Sequence, residues 1–258
     1  MESNPFEPTP SQPPPGAEKK PVIVSFPTVQ PVITYAILVI IGLVFLYSTS
    51  LTVADRSFFF ERWAKDNDKV YGGEYYRLFT SMFLHLNFLH ILFNGWALYL
   101  FGRDVESLFG HIRFAIVYFL GGLAGSIGSL LYTEANSIGA SGAIFSIFAA
   151  MGFYLYRHRH LYGQFASVRL RQMVMLGVIN IVFGLSPGTN IDNAAHLGGA
   201  IGGFLLAWFI SPEYEPRRTA QEQITMVDTN TPEKWAVAPV LFGVGIVATV
   251  AYAAAVLG

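Results

Sequence analysis

The chain of 258 residues contains no cysteine, which excludes disulfides and thiolate nucleophiles and leaves the redox compartment undetermined. Charge is also scarce. Asp, Glu, Lys and Arg make up 13% of residues against 53% hydrophobic ones, well short of the roughly 25% charged residues usual in soluble domains. The formal net charge of −1 gives no basic excess, so no nucleic-acid partner is expected. Beyond residue 31 proline is sparse, because nine of the 14 prolines fall in residues 1–31, including Pro13-Pro14-Pro15. That segment cannot form a packed core and reads as an extended or disordered tail in preference to a proline-rich docking ligand.

What the chain has in abundance is long apolar runs. A helix needs roughly 20 apolar residues to cross the hydrocarbon core of a bilayer. Stretches free of Asp, Glu, Lys and Arg occur at 32–54, 78–102, 114–133, 135–156, 172–191, 193–212 and 235–258. We read these as seven spans of one compact, all-α, polytopic membrane bundle. Its parts are a tail (1–31), a membrane domain (32–212), and a linker with a last span (213–258). The first run, starting near Val32, is long enough to span, so no cleavable signal peptide is expected.

The loop cations fix an orientation. Lys19 and Lys20, Arg103 and Arg113, the group Arg157, Arg159, Arg169 and Arg171, and the group Arg217, Arg218 and Lys234 fall on one side of seven alternating spans. The opposite short connections hold Glu134 and Asp192 and no cation. The positive-inside rule then predicts a cytoplasmic N-terminus and an extracytoplasmic C-terminus. The outer segment 55–77 mixes charges with Phe58, Phe59, Phe60, Trp63, Tyr71, Tyr75 and Tyr76. It reads either as an interfacial segment in the outer leaflet or as an ordinary extracytoplasmic loop.

Polar residues within spans are expensive and read as functional. Ser141 lies in Gly139-Ala140-Ser141-Gly142 at the start of the fourth window, and His196 in Ala195-His196-Leu197-Gly198-Gly199 at the start of the sixth. The predicted topology brings both to the outer face, together with His85, His90 and Asn94 of the second window. A serine at a helix start has free backbone N–H groups beside it that can hold an oxyanion. His196 shares a helix face, within about 60°, with Gly199 and Gly203, the stripe a neighbouring helix approaches most closely. It can therefore act as base and then acid toward the Ser141 hydroxyl.

His90 and Asn94, one turn apart, are candidate oxyanion donors. His85 is expected to face elsewhere, anchoring the 55–77 segment or bonding water. Phe145, one turn after Ser141, is placed either under the base or against lipid. Asp192 tempts a triad reading, but an N-cap role for it or Asn193 fits its position better. Glu106, roughly 18 Å along the helix from Asn94, is expected to bond polar groups where the second and third spans meet. No carboxylate accompanies the histidines at a ligating spacing, so no metal is expected.

Together His85-xxxx-His90-xxx-Asn94, Gly102-xxx-Glu106-xxx-Gly110, Gly139-Ala140-Ser141-Gly142 and Ala195-His196-xx-Gly199-xxx-Gly203 resemble the rhomboid family of intramembrane serine proteases. The resemblance implies a six-helix core with Ser141 and His196 as a dyad and no cofactor. His90, Asn94 and the Ser141 N–H would then serve the oxyanion. It further implies transmembrane protein substrates, a lateral gate between the second and fifth spans, and a six-plus-one arrangement for the last span. Tyr76-Arg77 stands where many relatives have Trp-Arg, keeping an aromatic anchor. Phe145 stands where many have tyrosine, keeping the ring and losing the hydroxyl.

Peptide-bond hydrolysis in a membrane, with a bacterial plasma membrane as the expected setting, is therefore the leading reading. A catalytically silent relative that binds membrane clients is the alternative, disfavoured by the presence of both serine and histidine. A transporter would call for internal repeats, which the sequence does not display.

Overall fold

The computed structural model describes residues 24–189, 191–219 and 223–257, so the expected tail falls outside them except for residues 24–31. A short strand β1 (Val24–Ser25) precedes α1 (Val32–Ser50), the first apolar run. Segment 55–77 is helical rather than a loop: α2 (Val53–Trp63) and α3 (Asn67–Tyr71) lead into α4 (Arg77–Thr80) and a 3-10 turn (Ser81–Phe83). Thr52 and Asp66 start the first two by accepting from Asp55 N and Lys69 N, as N-cap side chains do.

The second span does not begin where the apolar window does. Residues Leu84–Asn87 are non-helical, Asn87 accepts from His90 N, and α5 (Phe88–Ala97) starts there. It continues through a π-turn (Leu98–Gly102) into α6 (Arg103–Phe109). Gly110 turns the chain at φ +81°, in the left-handed region that L side chains rarely adopt, into α7 (His111–Tyr132).

Then follow α8 (Ser141–Arg157), α9 (Arg159–Tyr162), α10 (Gln164–Gly184) and α11 (Asn193–Ile210). The chain closes with a hairpin of β2 (Tyr214–Arg218) and β3 (Ile224–Asp228), then α12 (Pro232–Trp235) and α13 (Val237–Leu257). Among the described residues, five helical runs are long and apolar enough to cross a membrane: α1, α7, α10, α11 and α12–α13. The α5–α6 run and the 17-residue α8 pack within the same bundle. The fold is an all-α membrane helical bundle.

A three-stranded sheet, ordered β1-β3-β2, is an addition that the all-α reading did not contain. It pairs Ser25 with Thr225 in parallel and Tyr214 with Asp228 antiparallel. Tyr214 packs edge-on at 6.4 Å against Tyr154, near the C-terminal end of α8. The sheet therefore sits at the opposite end of α8 from Ser141.

The core lies between α7, α8 and α11, and it is built by leaving side chains out. A Cβ on Gly128 of α7 would meet Ala194 O at 2.5 Å, and one on Gly198 of α11 would meet Ala124 O at 2.6 Å. With lipid as the solvent, no hydrophobic force draws helices together, and close backbone packing supplies the attraction instead. Phe114, Tyr118, Ile147 and Tyr154 fill the interior beyond these contacts.

Helix ends, which cannot find water inside a bundle, are closed by charged side chains from elsewhere. Pro31 at the head of α1 offers no capping side chain. The fully buried Glu106 serves instead, accepting from Ile33 N at 2.8 Å and from Thr34 N and Oγ1, both at 2.7 Å. Its remaining bond, 2.7 Å from His111 Nδ1, lies at the connection where its role was expected; its principal partner is the start of α1. Arg77, 2% exposed, donates to the carbonyls of Glu61 (2.6 Å) and Ala64 (3.0 Å) at the end of α2 and pairs with Glu74.

Glu106→Ala would strand the Ile33 and Thr34 N–H groups, at roughly 1–3 kcal/mol each. Equilibrium unfolding in mixed micelles should show a loss of that order, with Glu106→Gln losing less. An alanine variant as stable as the wild type would contradict the capping role.

Candidate active site

Ser141 is the first residue of α8, and Ala140 before it provides no side-chain cap. The first-turn N–H groups of α8 thus stay available to a ligand oxygen. Gly139 makes the entry. Its φ of +124° is one that L side chains rarely adopt, and its N–H donates to Ser81 O at 2.9 Å. A Cβ there would lie 2.6 Å from His90 Nε2 and 3.7 Å from Asn94 Nδ2. The histidine and the amide of α5 therefore close around the backbone two residues before Ser141. Asn94 is buried at 8% exposure, so its amide is already largely removed from solvent.

His196 comes from the first turn of α11 and is 6% exposed. Its ring stacks on Phe145 at 4.2 Å between centroids and 13° between planes. Phe145 stands one helical turn beyond Ser141, so the stack holds the imidazole along the serine's face of α8. The backbones explain how α11 comes this near. A Cβ on Gly199 would be 2.0 Å from Gly142 O, and one on Gly203 2.1 Å from Ser146 O. Gly142 is looser, since its Cβ would meet Ala195 O at 3.4 Å. Among the described residues no hydrogen bond joins the His196 ring to Ser141, and His196 Nδ1 has no partner. Catalytic hydrogen bonds commonly tighten only when substrate is bound.

Asp192 does not orient the imidazole. It caps α11 by accepting from Ala195 N at 2.9 Å, and it takes the hydroxyls of Thr133 (2.9 Å) and Ser129. Burial pushes its carboxyl up, but the bonds from Ser129, Ala195 N, Ser137 and Thr133 outweigh that and hold it below the ordinary carboxylate range. It is therefore an ionised cap. Asn193 bonds Ile181 O of α10 at 3.0 Å.

His85 differs from its expected direction. Helical angles do not apply to it, because α5 begins at Phe88, and its ring lies edge-on to His90 at 5.0 Å. Both of its ring nitrogens are buried without a hydrogen-bond partner among the described residues. A cavity of about 20 Å³ touches Ser141 and is lined by the serines at 81, 126, 129 and 137, about the room one water needs.

The structure thus brings Ser141, His196, Phe145, His90, Asn94, His85, Gly139, Gly142, Gly199 and Gly203 to one place. Arg77 and Glu106 act at helix ends away from it. Sequence reasoning passed over the α7 glycines, although Gly121, Gly125 and the neighbouring Gly122 and Gly128 repeat at the spacing of a close-packed face. It also passed over Lys65, which lines the same cavity as Ser141 and carries no motif.

No metal-ligating group of three or more His, Asp or Glu side chains occurs among the described residues. Gly199→Ala drives a methyl into a backbone carbonyl, and overpacking of this kind costs roughly 1–3 kcal/mol or more. Thermal unfolding in detergent should find it much less stable than Gly142→Ala, which should stay near the wild type. Equal effects would remove the α8–α11 contact as the organising constraint.

Comparison with known proteins bears on this geometry. A Rhomboid domain model matches residues 72–213, a stretch that contains Ser141, His196, His90, Asn94 and Phe145. The chain is 37% identical over 144 residues to rhomboid protease GluP of Bacillus subtilis, covering 56% of this chain and 28% of that one. It is 38% identical over 149 residues to RHOMBOID-like protein 1 of Arabidopsis thaliana, covering 56% and 37%. With Bacillus subtilis YdcA it shares 35% over 150 residues, covering 57% of this chain and 73% of that one. The chain therefore spans well under half the length of the first two of these relatives. With the family model spanning more than half of it and the bundle carrying the apolar helices described, the chain is an integral membrane protein belonging to the rhomboid family.

Proposed function

We propose that this protein is an intramembrane serine endopeptidase that cuts other membrane proteins in or near a transmembrane segment through a Ser141–His196 dyad. The observation that carries the reading is the stack of His196 on Phe145, one turn from Ser141, with His90 and Asn94 closed around Gly139. Relatives that bear the name rhomboid protease, GluP among them, support it.

In this mechanism the Ser141 hydroxyl oxygen attacks the scissile carbonyl carbon while the His196 imidazole takes the hydroxyl proton. The carbonyl oxygen becomes an oxyanion and receives hydrogen bonds from the Ser141 N–H, His90 and Asn94. The tetrahedral species collapses, the C–N bond breaks, and His196 returns the proton to the leaving amine. Water then attacks the acyl-serine ester with His196 again as base, releasing the new carboxyl end and restoring the serine. The cavity beside Ser141 offers room for that water. Phe145 keeps the ring from rotating away while its charge changes. No cofactor enters.

Substrate entry from the side fits the exposed surface of two elements: α5 buries Asn94, and α10 buries Ala166 and Met173. In the same reading the site opens to the extracytoplasmic face, with the N-terminus cytoplasmic, α13 as a seventh span after a six-helix core, and a bacterial plasma membrane as the setting.

The test is cleavage of a single-span reporter protein in liposomes. Wild type should cut, whereas Ser141→Ala and His196→Ala should fall to background. Asn94→Ala should lose roughly 10²–10³-fold in kcat, the usual cost of one oxyanion donor. Wild-type cleavage rates from Ser141→Ala would overturn the assignment, and an inert wild type that still retains the reporter would favour a client-binding role.

A further inference from the structure

Lys65 is a cation sealed inside the outer end of the bundle, with 1% of its surface exposed. Its ammonium donates to the carbonyls of Thr133 (3.0 Å), Ala135 (3.1 Å) and Ser129 (3.4 Å) and to Asn67 Oδ1 (2.8 Å). These carbonyls belong to the end of α7 and the chain just beyond, at the negative end of the helix dipole, and that of Ser129 also accepts from Thr133 N at 2.8 Å. The Lys65 backbone also pairs in both directions with Ser137, at 3.1 and 3.0 Å. Two residues further, Gly139 lies between His90 and Asn94, and two residues after that comes Ser141. One side chain and its own backbone therefore hold the stretch between α7 and Ser141 at its α7 end and at its middle.

We propose that Lys65 is a positioning residue for Ser141, its ammonium fixing the 133–140 loop so that the oxyanion donors are assembled before substrate arrives. The inference rests on the proteolytic reading above. It extends that reading to a charge whose contacts, among the described residues, stop short of the reacting atoms.

The charge has a definite working range. Burial pulls the Lys65 ammonium down to about 8, against the opposing pull of Asp192 and Asp66. Those two carboxylates, one from the α11 cap and one from its own segment, are the charged groups facing it. The end of α7 and the following loop present carbonyls and hydroxyls, and Glu134 is exposed. Above pH 8 the neutral amine keeps two N–H donors for four acceptors and no longer carries a charge. The linkage has the opposite sign for folding. Because the folded-state value lies below the ordinary 10.5, the unfolded chain binds more protons between the two, and this group's contribution to stability rises with pH there. Loss of turnover without loss of stability is the signature, and a purely structural lysine would not produce it.

The experiment measures kcat, KM and thermal unfolding of the full chain in liposomes from about pH 6 to about pH 10. Wild-type kcat should fall through roughly pH 8 with KM within about two-fold and no drop in unfolding temperature. Lys65→Arg, charged throughout, should keep most of the activity and lose the fall. Lys65→Met should lose about 10²-fold in kcat at neutral pH, the scale of an ångström's misplacement, and show no fall. If Lys65→Met does not fold, the wild-type and arginine profiles decide.

A flat wild-type profile, a methionine variant with wild-type kcat, or an unchanged fall in Lys65→Arg would each overturn the proposal. Absence of cleavage by the wild type at every pH would sink the protease reading and this inference with it. Cleavage with a flat profile would sink the inference alone.

Discussion

The backbone of α11 touches the backbone of α8, and α11 has no room for a side chain where they meet. That single constraint at Gly199 against Gly142 and Gly203 against Ser146 sets how His196 on α11 lies relative to Ser141 on α8, while Gly139 brings His90 and Asn94 of α5 against the same entry. Van der Waals attraction between two bare helix surfaces is short-ranged, so it fixes separation and register together. Once the register is fixed, the His196 ring lies over the Phe145 ring and stacks on it. The serine needs no contact of its own to be in place, because the helix that begins with it is already located.

The second organising element is the treatment of helix ends. A bundle in lipid has no water to complete the last turns, and here charged side chains do so, three of them from outside the helix they close and Asp192 from the residue just before it. Glu106 closes the start of α1, Arg77 the end of α2, Lys65 the end of α7 and Asp192 the start of α11. Each sits where a loop could otherwise wander, and two of the four, Lys65 and Asp192, flank the loop that delivers Ser141. The apolar helices set distances, while these charges set the shape of the connections. Scarcity of charge in the sequence is thus matched by heavy use of the charges that remain.

Much of this was legible before any coordinates. The apolar windows announce the bundle, and the paired motifs around Ser141 and His196 mark the two helix starts that meet. Helix boundaries were less legible. The second apolar window runs back to residue 78, yet α5 starts at Phe88, because hydropathy cannot distinguish a short 3-10 turn and an extended link from a continuing helix. That displacement is what put His85 beside His90. Arg169 and Arg171 lie within α10 rather than in the loop before it, for the same reason. The small sheet escaped notice because its strands are short, two to five residues each. Lys65 left no trace in one sequence: a lysine among polar residues reads as solvated until its carbonyl partners are seen.

The most direct measurement is active-site labelling in native membranes with a fluorophosphonate, which phosphonylates only an activated serine, followed by mapping of the modified peptide. The account predicts one adduct, on Ser141, whose formation nearly vanishes in His196→Ala. An adduct on a different serine, or equal labelling of Ser141 with and without the histidine, would contradict it.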